Sequence, residues 1–257
     1  MKHQSDPRVL NQRTLERDHR RLAELLRPGM SVLDLGCGTG SITAGIARAV
    51  APDGLVFGLD RDAALLALAP VDAPNLHFVA GEIQTWQPPQ MFDIVTAARV
   101  LQWIGDPAAA LERMCACLKP RGTVVVLDYN HSAHTWDPAP PAAFQRFYSA
   151  FLKWRAANGW SNRIGDELPE MFRAAGLLDV QSREEDETGF ARGSLLWCQV
   201  IESMGPAIVT DGFLGEDERL AALEAFESWR ANDGCSVRWS LRAIEGRAEQ
   251  IDSAKRV

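Results

Sequence analysis

The sequence predicts an α/β fold in which a doubly wound, mostly parallel sheet carries helices on both faces. Three observations predict it. Short β-favouring runs alternate with helical ones between residues 31 and 128. The first run empties directly into a glycine-rich turn, Gly36, Gly38 and Gly40. The second run ends in an acid, Asp60, twenty residues after the last of those glycines. Alternation at this spacing implies βαβ units, and right-handed crossovers leave few topologies open.

Residues 10–26 place apolar side chains at helical spacing among many charges, and the Pro28–Gly29 pair stops them, so one N-terminal helix is expected. Strands are expected at 31–35, 55–60, 76–80, 92–97 and 123–128, with helices at 41–50, 63–69 and 107–118, the last opening on Pro107. Regularity breaks after Tyr129. Residues 130–141 (NHSAHTWDPAPP) read as a Pro-rich loop. Helices follow at 142–157, crowded with aromatics, and at 165–175, ended by Gly176. A sixth strand is expected at 177–183, helices near 194–204 and 216–231, and a last alternating strand at 236–244. The acidic run 183–187 (REEDE) reads as a solvated strand end. The whole is expected to be one domain over 1–257: an N-terminal helix in 1–29, a ligand-binding core in 30–130, and helical insertions at 131–176 and 190–232 that roof the site.

The chain has 257 residues, 46% hydrophobic and 24% charged, which suits a globular domain whose core needs no staple. A net charge of -7 argues against general nucleic-acid binding, which requires a basic face, but leaves room for a local basic pocket. The five cysteines are scattered without metal or redox spacing and read as free thiols of a cytoplasmic protein. The first ten residues lack the apolar core of a signal peptide, and no apolar run is long enough to span a membrane.

VLDLGCGTG, residues 32–40, is the most informative segment. A buried strand, a glycine turn and a helix start form the setting in which backbone approaches a ligand closely, where a Cβ would intrude. The pattern is G-x-G-x-G, not the G-x-G-x-x-G of dinucleotide folds, and Asp34 stands inside the strand just before it. That acid would repel a pyrophosphate yet suits an ammonium group. Asp60 sits where a carboxylate accepts hydrogen bonds from both ribose hydroxyls. A nicotinamide-dependent oxidoreductase therefore fits poorly, and a sulfonium nucleoside carrying an amino acid fits well.

VLDLGCGTG followed by GLD (58–60) resembles the first motif and the acidic second-strand end of class I S-adenosylmethionine-dependent methyltransferases. In order, GEI (81–83), FDIVTAARVLQWI (92–104) and LKPRGTVVVLDY (118–129) resemble later segments of that family, with Glu82 in place of Asp and Arg121 in place of Gly. The resemblance covers residues 30–130 well and is nearest to the ubiquinone/menaquinone-type small-molecule group. It implies a Rossmann-like seven-stranded sheet whose last strand is antiparallel. It also implies S-adenosylmethionine as cofactor, S-adenosylhomocysteine as product, and a small-molecule acceptor methylated on O, N or C by a monomer or homodimer. Asp34, Gly36, Cys37, Gly38, Asp60, Arg61, Glu82, Ile83, Ala98 and Arg99 are the implied cofactor residues. Arg99 is open between holding an anionic acceptor, holding the cofactor carboxylate, and being merely solvated.

On the acceptor side, Tyr129 and His131 follow the fifth strand at the end where such sheets bind ligands, and an imidazole there can act as a base. A loop histidine without a chemical role is the alternative. His131 and His134, three apart, lack a carboxylate partner set, so no metal is expected. Trp103, His134, Trp136 and Tyr148 are candidate substrate contacts, the alternative for the aromatics being core packing. Competing functions are an RNA or protein methyltransferase and a catalytically silent cofactor-binding protein. The acidic balance speaks against RNA, while the cofactor motif leaves the silent protein open.

Overall fold

The computed structural model describes residues 6–70, 73–190, 196–232 and 235–250. The N-terminal stretch is three short helices, α1 (Pro7–Leu10), α2 (Leu15–Asp18) and α3 (Arg20–Leu25), and not the single helix expected over 10–26. Tertiary contacts override the periodicity. Asp18 turns back to accept from the Thr14 amide at 2.7 Å, and buried His19 reaches Thr96 Oγ1 at 3.0 Å.

The core then runs as expected: β1 (Ser31–Leu35), α4 (Ser41–Val50), β2 (Leu55–Asp60), α5 (Ala63–Leu66), β3 (Leu76–Ala80), β4 (Phe92–Ala98), α6 (Pro107–Ala116) and β5 (Leu118–Tyr129). α5 stops short of residue 69. The turn expected between α6 and β5 is absorbed into β5 as an irregularity, the register on β4 slipping from Phe92↔Leu118 to Ile94↔Thr123. A 3-10 turn, Leu101–Trp103, links β4 to α6.

Beyond β5 the loop expected at 130–141 holds a 3-10 turn, His131–Ala133, and a strand, β6 (Thr135–Asp137). α7 (Ala142–Ala157), α8 (Ile164–Ala174) and β7 (Leu178–Glu184) follow. The acidic run is not simply solvated. Glu185 is buried and accepts from the Arg21 amide at 2.6 Å, Asp186 accepts from the Leu241 amide at 2.9 Å, and Glu187 begins another strand, β8 (Glu187–Phe190). α9 (Leu196–Ser203), α10 (Gly205–Thr210) and α11 (Glu216–Arg230) complete the helices; the start expected for α9 at Ser194 and Leu195 lies outside the described residues.

The last expected strand is two: β9 (Ser236–Trp239) and β10 (Leu241–Arg247). Ser240 divides them. Its amide donates to His134 Nδ1 at 3.1 Å and its carbonyl accepts from the Asn130 amide at 2.9 Å, so the chain passes from one sheet to the other there.

The main sheet has the order β3-β2-β1-β4-β5-β10-β7, with β10 antiparallel to both neighbours. This is the Rossmann-like sheet with its last strand reversed. β6, β9 and β8 form a second, antiparallel sheet. One apolar cluster joins Leu33, Val95, Val124, Leu111 and Phe172, and another joins Val32, Ile94, Val125, Ile46 and Leu22. The alternating residues of β1, β4 and β5 thus serve the two faces. A third cluster, led by Phe144, Phe147, Phe151, Trp197 and Phe226, fixes α7, α9 and α11 over the carboxyl ends of the strands. Among the described residues no helix is long and apolar enough to cross a membrane.

Candidate active site

Strand order reverses between β1 and β4, and ligands of open α/β sheets bind at that switch point, outside the carboxyl ends of the strands. A cavity of about 350 Å³ lies there, reached by Leu35 of β1, Asp60 of β2, Ala98 of β4 and Tyr129 of β5.

Its first end is built by the glycine loop. Gly36 and Gly38 take φ of +69° and +56°, left-handed backbone that favours glycine. A Cβ on Gly36 would lie 2.5 Å from Val100 Cγ2, and one on Gly38 would lie 2.9 Å from Leu10 Cδ1. We expect Gly36→Ala to destabilise the fold by about 1–3 kcal/mol through strain and overlap, read as a lowered urea midpoint; an unchanged midpoint would show that Val100 yields freely. Asp60 is pinned by two backbone donors, Gly38 N to Oδ2 at 2.8 Å and Asp62 N to Oδ1 at 2.9 Å. Arg61, Glu82 and Ile83 line the same end.

Asp34 and Cys37 lie elsewhere than expected. Neither lines the main cavity; both border a smaller one of about 30 Å³ beside it, together with Gly36, Ala98 and Arg13. Asp34 is buried and accepts from Thr43 Oγ1 at 2.7 Å. Burial pushes its pKa up to about 7; the Thr43 hydrogen bond opposes this and Asp60 adds to it. Burial likewise pushes the Cys37 thiol far up, so it is no nucleophile.

At the other end Arg99 is buried, not solvated. Its Nε donates to Tyr129 Oη at 3.1 Å, Nη1 to the Asp18 carbonyl at 3.0 Å, and Nη2 to Glu187. Burial alone would lower its pKa, but Tyr129, Glu187 and Asp18 together hold it above the usual value. Arg13 lines both cavities and feels Arg99, Tyr129 and Glu187; burial and then Arg99 lower its pKa, yet it remains a cation.

His131, His134, Trp103 and Tyr129 line the cavity. Trp136 and Tyr148 do not. Trp136 packs edge-on to Phe144 and Tyr148, and the Tyr148 hydroxyl donates to the His131 carbonyl, so both brace the wall from behind. His131 Nε2 meets Gln102 Oε1 at 2.7 Å, and His134 Nδ1 accepts from Ser240 N. Burial, then the Arg155 charge, holds both imidazoles neutral, His131 well below the ordinary range and His134 at about 3. Among the described residues no three His, Cys, Asp or Glu side chains are grouped to hold a metal ion.

Residues that the sequence did not single out complete the site. Val9, Leu10 and Arg13 come from the N-terminal segment, Trp197, Gln199 and Val200 from α9, Gln102 from the 3-10 turn, and Trp239 from β9. An ion pair between Arg8 and Glu202, 3.4 Å, ties the N-terminal segment to α9 across the cavity. No local sequence signal marks these positions, because each reaches the site only through the tertiary fold.

The reversed seven-stranded sheet, with its glycine loop after β1 and acid at the end of β2, defines a class I S-adenosylmethionine-dependent methyltransferase architecture. The chain belongs to the methyltransferase domain family, whose profile matches residues 26–176, more than half of it. Among curated proteins it is 36% identical over 159 residues to a trans-aconitate 2-methyltransferase of Deinococcus radiodurans, covering 60% of each chain. It is 35% identical over 148 residues to the protein of the same name from Methylobacterium radiotolerans, covering 58% of this chain and 54% of that one. The chain thus matches less than two thirds of the length of these relatives. Among solved structures, Haemonchus contortus phosphoethanolamine N-methyltransferase 2 superposes with a TM-score of 0.57 at 17% identity, over 90% of this chain and 51% of that one, a likeness of fold.

Proposed function

We propose that the protein transfers a methyl group from S-adenosylmethionine to a carboxylate oxygen of a small anionic acceptor. The residues at the first end of the cavity suit that cofactor. Gly36 and Gly38 leave open the backbone space that a Cβ would fill, and Asp60 presents a fixed carboxylate for a ribose diol. Asp34, buried beside the glycine loop, would meet an ammonium group, and Arg61, Glu82, Ile83 and Ala98 would complete the binding surface.

When bound, the cofactor supplies a sulfonium methyl whose carbon–sulfur bond breaks, with its electron pair left on sulfur, as the acceptor's lone pair bonds to carbon. The protein's contribution is alignment and exclusion of water. The observation that carries the carboxylate reading is the pairing of Arg13 and Arg99 with two imidazoles held neutral. The guanidiniums favour an anion. The imidazoles, with pKa values far below neutral, are weak bases for a hydroxyl proton, and a carboxylate has none to remove. His131 and Tyr129, proposed from the sequence as catalytic groups, then serve to orient the acceptor. The names of the curated relatives, methyltransferases of the acid trans-aconitate, support an acidic acceptor.

Calorimetric titration with S-adenosylmethionine, S-adenosylhomocysteine and NAD tests the cofactor half of the reading. Micromolar binding of the two sulfur nucleosides and none of NAD is the expected result. Absence of binding by either nucleoside removes the basis for methyl transfer.

A further inference from the structure

Among the described residues three arginines line the cavity, and they differ in what already holds them. Arg61 is exposed at the cofactor end, beside Asp60 and Asp62. Arg99 is taken up by Tyr129, the Asp18 carbonyl and Glu187. Arg13 is only partly buried, and among the described residues no hydrogen bond or ion pair takes its guanidinium, whose nitrogens keep access to open space. It faces the Arg99 end, for the charges it feels are those of Arg99, Tyr129, Glu187 and Asp18. The imidazoles of His131 and His134 add no charge there, since burial holds both neutral. With Glu187 offsetting Arg99, the described residues of this end offer a single uncompensated cation.

The rest of this end is apolar. Phe151 stands edge-on to the His131 ring, 5.7 Å between centroids, and Trp197 edge-on to His134 at 6.4 Å. Trp103 and Trp239 add further flat faces. Such walls accommodate a ring or a methylene chain. A carboxylate pressed against them without a cation gives up its water and gains no partner.

We infer that the acceptor is a monocarboxylic acid with an apolar aryl or alkyl body, its one carboxylate held by Arg13 and its body against the aromatic walls, and not a di- or tricarboxylate. The inference rests on the proposed methyltransferase reading and narrows its acceptor. It sets this chain apart from the acid that names its curated relatives, trans-aconitate, a tricarboxylate. The further carboxylates of such a molecule would meet aromatic faces where Arg13 alone is free to pair. For a monocarboxylate the charges balance. An oxygen–carbon bond replaces the carbon–sulfur bond of the cofactor, the electron pair stays on sulfur, and no proton leaves, so the anion becomes a neutral ester. Arg13 is then the residue that selects one carboxylate, and it comes from the N-terminal segment, not from the sheet.

The test uses the full chain saturated with S-adenosylhomocysteine and titrated by calorimetry. The probes are octanoate, 3-phenylpropanoate, its uncharged counterpart 3-phenylpropanol, 2-phenylsuccinate (the same acid with a second carboxylate) and trans-aconitate. Octanoate or 3-phenylpropanoate should bind about tenfold or more tightly than the alcohol and than both polycarboxylates. Arg13→Gln should bring 3-phenylpropanoate down to the affinity of the alcohol, and Arg13→Lys, which keeps the charge, should restore part of the difference. Tightest binding of 2-phenylsuccinate or trans-aconitate, no binding of either monocarboxylate, or an acid preference that survives Arg13→Gln overturns the inference. So does a loss of about tenfold or more in the affinity of Arg13→Gln for S-adenosylhomocysteine, which would assign the guanidinium to the carboxylate of the cofactor. Failure of S-adenosylhomocysteine to bind the wild-type protein defeats the underlying reading instead.

Discussion

Replacing Asp60 with alanine is expected to lower the affinity for S-adenosylhomocysteine by about 100-fold to 10,000-fold. A carboxylate that accepts from two ribose hydroxyls makes two charge-assisted hydrogen bonds, each about 1.5–3 kcal/mol, and about 1.4 kcal/mol is a factor of ten. The residue has a second task in the same place. Its oxygens accept from the amides of Gly38 and Asp62, so alanine also releases two backbone donors of the loops that carry the site. Asp60→Asn separates these contributions, because the amide oxygen keeps one acceptor while the charge is lost. Calorimetry on the three proteins should give the order wild type, asparagine, alanine, with the thermal midpoint of the ligand-free protein falling for both variants and further for alanine, since asparagine keeps one of the two backbone acceptors. Wild-type affinity in the alanine variant would remove Asp60 from the ribose site.

Asp34→Asn should move stability and cofactor binding in opposite directions. Burial raises the Asp34 carboxyl to about 7 from its usual value near 3.8, so the folded state holds a proton that the unfolded chain releases. The sign follows. Stability from this group is full below about pH 4, declines as pH rises toward 7, and stays low above that, a loss of about 4 kcal/mol at most. Asparagine cannot ionise and still offers Thr43 an acceptor, so the ligand-free variant should gain about 2–4 kcal/mol over wild type at pH 8 and little at pH 4.5. The same change removes the negative charge proposed to meet the cofactor ammonium, so affinity should fall by tenfold or more. Urea denaturation at the two pH values, with and without S-adenosylhomocysteine, checks both directions. A variant less stable than wild type at pH 8 would mean that burial does not raise the Asp34 carboxyl in the ligand-free fold. Such a balance, stability given up at a binding position, is common where a charge waits for its partner.

How far the sequence reached follows from how local each interaction is. Strands β1 to β5 and the helices between them were legible because each repeats a short pattern, an apolar run or a 3.6-residue period, closed by turn residues. The glycine loop and Asp60 were legible for a related reason: backbone with positive φ, and an acid at a strand end, are written in single residues at fixed spacing. The aromatic helix α7 was found, but which of its rings faced a ligand was not. Tyr148 and Phe144 share its inner side, yet the wall of the cavity is made by Phe151 from α7 together with Trp197 and Trp239 from distant segments.

By itself, then, the sequence determined the sheet, its cofactor loop and the class of chemistry, all set by neighbours within one βαβ unit. The tertiary structure alone decided the end of the cavity proposed for the acceptor. Arg13 enters it because His19 and Asp18 break an otherwise periodic helix, and Glu187 pairs with Arg99 across 88 positions of chain. Ser240 fixes the proton on His134 from 106 positions away. Burial then completes what contact begins: removal from water turns Asp34 into a weak acid and both cavity histidines into neutral rings. No residue type or spacing encodes that shift, because desolvation depends on everything packed around a group.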